Sequence, residues 1–173
     1  MQNRLREIIL ITLVVTIVFI LGYILTPVMS LLPVAAYRAL IMAPIYGAGI
    51  IFLLNKVPKF GIVSLTGTLL GLLLSIFSPY MLLIPILSGI ITDTCCFMVF
   101  RNYTSELSKT VAGAIFPSIH IPITLFLMGL LVGGIYLEAL TNPILLVLPT
   151  VLTFFIAFYS AKYSLRIFKR RKI

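Results

Sequence analysis

Residues 56–75 read KVPKFGIVSLTGTLLGLLLS, and this stretch decides the class of fold. A basic loop closed by Pro58 leads into an apolar run long enough to cross a bilayer, and small residues recur down the run at Ser64, Gly67, Gly71 and Ser75. Spacings of three and four place them on one face of a helix. A face of glycine and serine lets a second backbone come close. Close packing drives helix association in lipid, where an apolar side chain gains nothing by leaving the acyl chains. The stretch therefore predicts a membrane helix built to be packed against.

The rest of the chain has the same solvent. Of its 173 residues 61% are hydrophobic and only 10% charged, and the mean hydropathy of +1.22 lies far outside the range of soluble domains. A net charge of +9 raises the question of nucleic acid. The basic residues fall in short runs between apolar segments, however, and offer no contiguous phosphate-binding face, so nucleic acid is excluded as a partner. Cys95 and Cys96 are adjacent inside an apolar segment, and no Cys/His set is spaced for a metal; they read as small packing residues. The first apolar run, of about 20 residues, is too long for the core of a cleavable signal, and none is expected.

Apolar runs and breakers predict one all-α membrane domain, a six-transmembrane-helix bundle with helices at about 7–26, 32–55, 58–77, 80–100, 110–134 and 143–163, followed by a basic tail at 164–173. Two of the thirteen Lys and Arg residues lie in the N-terminal head, two in the second loop, two in the fourth and six from Lys162 onward. The alternate loops have none. With six crossings this asymmetry puts both termini in the cytoplasm of a cell-membrane protein. The two halves share no motif, which disfavours an inverted-repeat transporter.

Three ionisable residues fall at membrane depth, where each is costly unless paired or wet. Arg38, about 9 Å below the outer end of its helix, either snorkels outward or lines a pocket whose ligand carries a carboxylate or phosphate. His120 lies near mid-membrane between Pro117 and Pro122. The prolines predict a broken helix with freed carbonyls, and a histidine inside it marks a binding site; the alternative is a histidine bonded to a neighbouring helix. Asp93 is the one intramembrane carboxylate, and a polar ladder from Asp93 through His120 to Arg38 is expected. Glu138 and Asn142 in an outer loop, and Tyr80 at the same interface, are ligand candidates or, for the tyrosine, a bilayer anchor.

No phosphate-binding loop, metal-binding HExxH, nucleophile elbow or paired-carboxylate motif is present. An enzyme is not expected, nor is a cofactor or metal. ATP hydrolysis would come from another subunit.

The segment KVPKFGIVSLTGTLLGLLLS, with the following PYMLLIPILSGIITD reaching Asp93, resembles the Trep_Strep group of small membrane proteins, regarded as substrate-binding S components of energy-coupling factor (ECF) transporters. The specific likeness covers about 40 residues. It implies a receptor for a vitamin or other micronutrient that works with a transmembrane coupling protein (the T component) and two cytosolic ATPases, capturing its ligand from outside between the first outer loop and helices four to six. It would place His120, Asp93 and Arg38 at or near the pocket and assign small-residue faces to docking. S components commonly carry a small-residue pair on helix one, where this chain has only Thr12 and Thr16; its alanine ladder, Ala35, Ala39 and Ala43, is on helix two. Packing of helix two on helix three would account for that ladder and for Ser64, Gly67 and Gly71 equally well. A stand-alone permease or channel, or an intramembrane enzyme, are the competing classes.

Overall fold

The computed structural model describes residues 2–170, with side chains from residue 5 onward. Seven α-helices and one short 3-10 turn make up the described residues, and no strand occurs among them. The helices are α1 (Gln2–Met29), α2 (Arg38–Lys56), α3 (Ile62–Leu74), α4 (Tyr80–Phe100), α5 (Glu106–Leu131), α6 (Ile135–Thr141) and α7 (Pro143–Arg170). The 3-10 turn Ala35–Tyr37 leads into α2. Five helices are long and apolar enough to cross a membrane; α3, at 13 residues and about 20 Å, is shorter.

Small residues decide what packs in the centre, where α2, α5 and α7 meet. Ala43, Ala114 and Ala157 are fully buried against one another. A Cβ on Gly47 would lie 2.7 Å from the Ala157 carbonyl oxygen, so only glycine allows that approach. Ser160 Oγ donates to the Pro44 carbonyl at 2.7 Å, and Phe52 meets Phe168 at 5.4 Å between ring centroids, so α2 and α7 run the same way. On α1, Ile11, Val14, Val15 and Val18 are buried at helical spacing, while most of the helix faces outward.

The helix of the opening stretch is packed on as its small face predicts, by α4. A Cβ on Gly67 would come within 2.2 Å of the Pro85 carbonyl oxygen, and one on Gly71 within 2.5 Å of that of Leu82. Gly89 returns the fit from the other side, against Val63 and Ser64 backbone. Helix two does not use its alanine ladder on helix three. Ala43 is consumed by α5 and α7, and Ala39 joins the apolar cluster around Ile121 and Leu125. Ala35 falls in the 3-10 turn, outside the helix.

Ion pairs gather the basic segments at one end. Lys59 Nζ contacts Glu7 Oε1 at 2.5 Å, tying the α2–α3 loop to the start of α1, and Lys169 pairs with Glu106, tying the end of α7 to the start of α5. The Phe52–Phe168 contact joins those two groups. Arg38 lies at the opposite end, at the start of α2, whose last residue is Lys56.

Several boundaries differ from the sequence expectation. Helix two begins at Arg38, after the 3-10 turn, instead of near residue 32. Helix three spans Ile62–Leu74 and is shorter than 58–77, because Pro58 biases Val57 away from helix and Gly61 enters the helix in a left-handed conformation, φ 88°. The fifth long helix starts one turn early: Ser105 caps it, its Oγ accepting from Ser108 N at 3.1 Å. Residues 135–141, expected as loop, form α6. The final helix continues through the basic tail to Arg170; residues 171–173 of that tail lie outside the described residues.

Candidate ligand site

Asp93 is settled by its partners. Buried to 1% exposure on α4, it accepts from Ser64 N at 2.7 Å and Ser64 Oγ at 2.6 Å on Oδ2, and from Tyr103 OH at 2.7 Å on Oδ1. Ser64 lies in the first turn of α3, so the carboxylate also sits where the helix dipole favours negative charge. Arg101, left-handed at φ 59°, ends α4 and turns the loop so that Tyr103 returns beneath it. Burial, then the hydrogen bond to Asp93 and its charge, push the Tyr103 pKa up, so its hydroxyl stays a donor. Asp93 is a clasp between α3, α4 and the α4–α5 loop.

The polar ladder expected from the sequence is not made by direct bonds. No hydrogen bond or ion pair joins Asp93 to His120 or Arg38 among the described residues. The donors that Asp93 does have are Ser64 N, Ser64 Oγ and Tyr103 OH.

His120 is in a different situation. It is 7% exposed on α5, about 21 Å from the helix start at Glu106. Tyr46 of α2 stacks on its ring with centroids 5.4 Å apart at 26°, and Phe116 meets it edge-on at 4.8 Å and 70°. His120 Nδ1 lies 2.8 Å from the Phe116 carbonyl oxygen. A carbonyl can only accept, so Nδ1 carries the proton there. In the neutral ring Nε2 is then a bare acceptor, and it is buried without a partner. The histidine does not sit in a broken helix as expected: α5 runs through Pro117 and Pro122 without interruption. Ser118 Oγ and Thr124 Oγ1 bond back to the carbonyls of Ala114 and His120, within the same helix.

Arg38 also has a buried nitrogen without a partner, Nε. It lies nearer the helix end than the sequence depth implied, since three residues of 3-10 turn precede it. Arg38, Met42 and Tyr46 follow one another at four-residue spacing along α2, and Tyr46 is the residue stacked on His120. Arg38 and His120 are thus linked by one ridge of α2. Tyr37 OH donates to the Leu145 carbonyl at 2.9 Å and fixes the turn beside them. Across the same region lies α6: Ala139, with Tyr136 and Leu140, packs on Ile121 and Leu125 of α5 and on Val34 and Ala36 before α2. Gly133 and Gly134, both at positive φ, join α6 to α5.

The other sequence candidates make no hydrogen bond or ion pair to His120 or Arg38 among the described residues. Glu138 is exposed on α6. Asn142 Oδ1 accepts from Ile144 N at 3.0 Å and caps α7. Tyr80 is exposed at the start of α4. Thr12 and Thr16 are exposed on α1, bonded to each other by Thr16 Oγ1 to the Thr12 carbonyl at 2.8 Å. No group of three or more His, Cys, Asp or Glu gathers for a metal among the described residues.

Sequence reasoning passed over Tyr46 and Tyr103. Tyr46 was findable, since its four-residue spacing from Met42 and Arg38 puts it on the ridge of a residue already singled out. Comparison with protein-family models, with curated proteins and with solved structures finds no match to this chain.

Proposed function

We propose that the chain is the substrate-binding S component of an ECF-type importer for a vitamin or other micronutrient, with six crossings and both termini in the cytoplasm of the cell membrane. The observation that carries it is the pair of buried, unpartnered nitrogens, His120 Nε2 and Arg38 Nε, on helices whose basic ends lie far from Arg38. A buried polar group without a partner costs about 1–3 kcal/mol. A binding role for the ligand of a receptor offsets that cost when the ligand is present.

The gathering of Glu7–Lys59 and Glu106–Lys169 at one end supports a cytoplasmic basic face, with Arg38 toward the outside. In this reading α3 and its flanking turns make the sixth crossing. The chain has no motif to power transport, so a coupling protein and two ATPases supply the force. Ala43, Gly67 and Gly71 are occupied within the chain, and in this reading the exposed α1 face around Thr12 and Thr16 receives the coupling protein. A stand-alone permease would want a continuous polar path, and Asp93, bonded to Ser64 and Tyr103, offers no step of one. The test is purification of tagged protein at native levels. Co-purifying ATPases and a membrane partner are expected; reproducible recovery of the chain without either would refute the importer reading.

A further inference from the structure

Resting on the receptor reading above, we propose that His120 and Arg38 anchor the two ends of one ligand, a flat ring with an N–H or O–H donor at its edge and an anionic group on the far side. The chemistry at the His120 end follows from the proton on Nδ1. With Nδ1–H held by the Phe116 carbonyl, Nε2 can take a hydrogen bond and cannot give one without the ring becoming charged. The ligand group facing it must donate. The histidine ring is itself part of an aromatic cluster, with Tyr46 stacked on it and Phe116 edge-on, so a flat ring bonded to Nε2 extends that cluster.

At the other end the unpartnered group is Arg38 Nε, a donor on a guanidinium that never loses its charge. Among the described residues no ion pair is made by Arg38. A cation of this kind, half-buried at the mouth of an apolar bundle, calls for a carboxylate or phosphate. The eight residues from Arg38 to Tyr46 set the scale: about 12 Å along α2, shortened by the reach of the arginine. Ring and anion must be separated by a linker of several bonds. The α6 segment packs over this region and is joined to α5 through Gly133 and Gly134, both at positive φ, so it forms the cover of the proposed site.

The chain contains a single histidine, which makes the test direct. Protein labelled with 15N-histidine gives one pair of ring nitrogen signals. The probe is uridine 5′-monophosphate, which has a ring N–H and a phosphate; its controls are uridine, lacking the anion, and 3-methyluridine 5′-monophosphate, lacking the donor. Without probe, Nε2 is expected in the unprotonated range. The monophosphate at millimolar concentration moves it part of the way toward the protonated range, and each control binds about 10–100-fold more weakly, the equivalent of one lost hydrogen bond to a buried group. Arg38→Met brings the monophosphate down to the affinity of uridine while the Nε2 shift at saturation persists.

A protonated Nε2 in the probe-free protein, or a signal unmoved by all three compounds, overturns the inference. So does equal binding of the monophosphate and both controls. The importer reading has its own readout: ATPases that co-purify while Nε2 fails these tests leave the receptor standing and remove only the ligand class, whereas a shifted Nε2 with no associated ATPase does the reverse.

Discussion

Replacing Asp93 by alanine removes the acceptor of three hydrogen bonds at once, two from Ser64 and one from Tyr103. Interhelical hydrogen bonds in membrane proteins are worth about 0.6–1.7 kcal/mol each, so Asp93→Ala should cost about 2–5 kcal/mol. The loss falls on the α3–α4 contact, which has little else polar to hold its register beyond the close approach at Gly67, Gly71 and Gly89. For a chain of this size each kcal/mol corresponds to about 2–4 °C, giving a fall in melting temperature of about 4–20 °C in detergent. Asp93→Asn keeps one carbonyl oxygen for Ser64 and turns its amide toward Tyr103 OH, which can accept; it should lose only about 1 kcal/mol. Melting curves of the two variants, read beside ligand affinity, make the assay. A clasp predicts that Asp93→Asn binds ligand like the parent. Should Asp93→Asn melt normally and yet bind nothing, Asp93 would belong to the pocket and the reasoning would be refuted.

Other expectations follow from the same geometry. His120→Leu replaces an unpaired buried nitrogen with an apolar side chain, so it should raise stability by about 1 kcal/mol while abolishing ligand binding, measured by melting and by equilibrium binding on the same sample. Gly67→Ala drives a Cβ into the Pro85 carbonyl, and about 1–3 kcal/mol of destabilisation is expected in a denaturation series, with Gly61→Ala losing about 1 kcal/mol from φ alone. Lys59→Ala breaks an exposed ion pair and should change stability by less than about 1 kcal/mol, less still in high salt. Because the Tyr103 pKa is raised in the fold, the stability it contributes is fully present below the ordinary tyrosine value of about 10 and is lost as pH climbs through the raised one. Tyr103→Phe should blunt that alkaline loss in a pH series of melting curves.

Much of the architecture was legible because lipid makes the demand so plain. A run of apolar residues such as 7–26 has few other uses, and the glycine face of 64–71 announced a close neighbour without saying which. The neighbour turned out to be α4, because Gly89 and the carbonyls of Leu82 and Pro85 complete the fit, and no spacing within α3 encodes that. Helix ends were harder. The Ser105 cap and the left-handed Gly61 act through single residues, and the basic tail contains no breaker before Arg170, so its lysines and arginines simply extend α7.

The polar residues were legible as unusual and illegible as to partner. Asp93 finds Ser64 at 29 residues' distance and Tyr103 at ten, pairings that only the fold creates. His120 was singled out for the two prolines beside it, yet α5 absorbs both. What distinguishes His120 is that it is buried against Tyr46 and Phe116 with Nε2 left unpartnered, a property of three residues from two helices.

Native mass spectrometry of the chain, extracted gently from the membranes in which it is made, tests the central claim most directly. A receptor anchored on His120 and Arg38 should fly as the chain plus one small polar molecule, with that mass missing from His120→Phe. Identical spectra for parent and variant, showing the bare chain or lipid adducts alone, would contradict it.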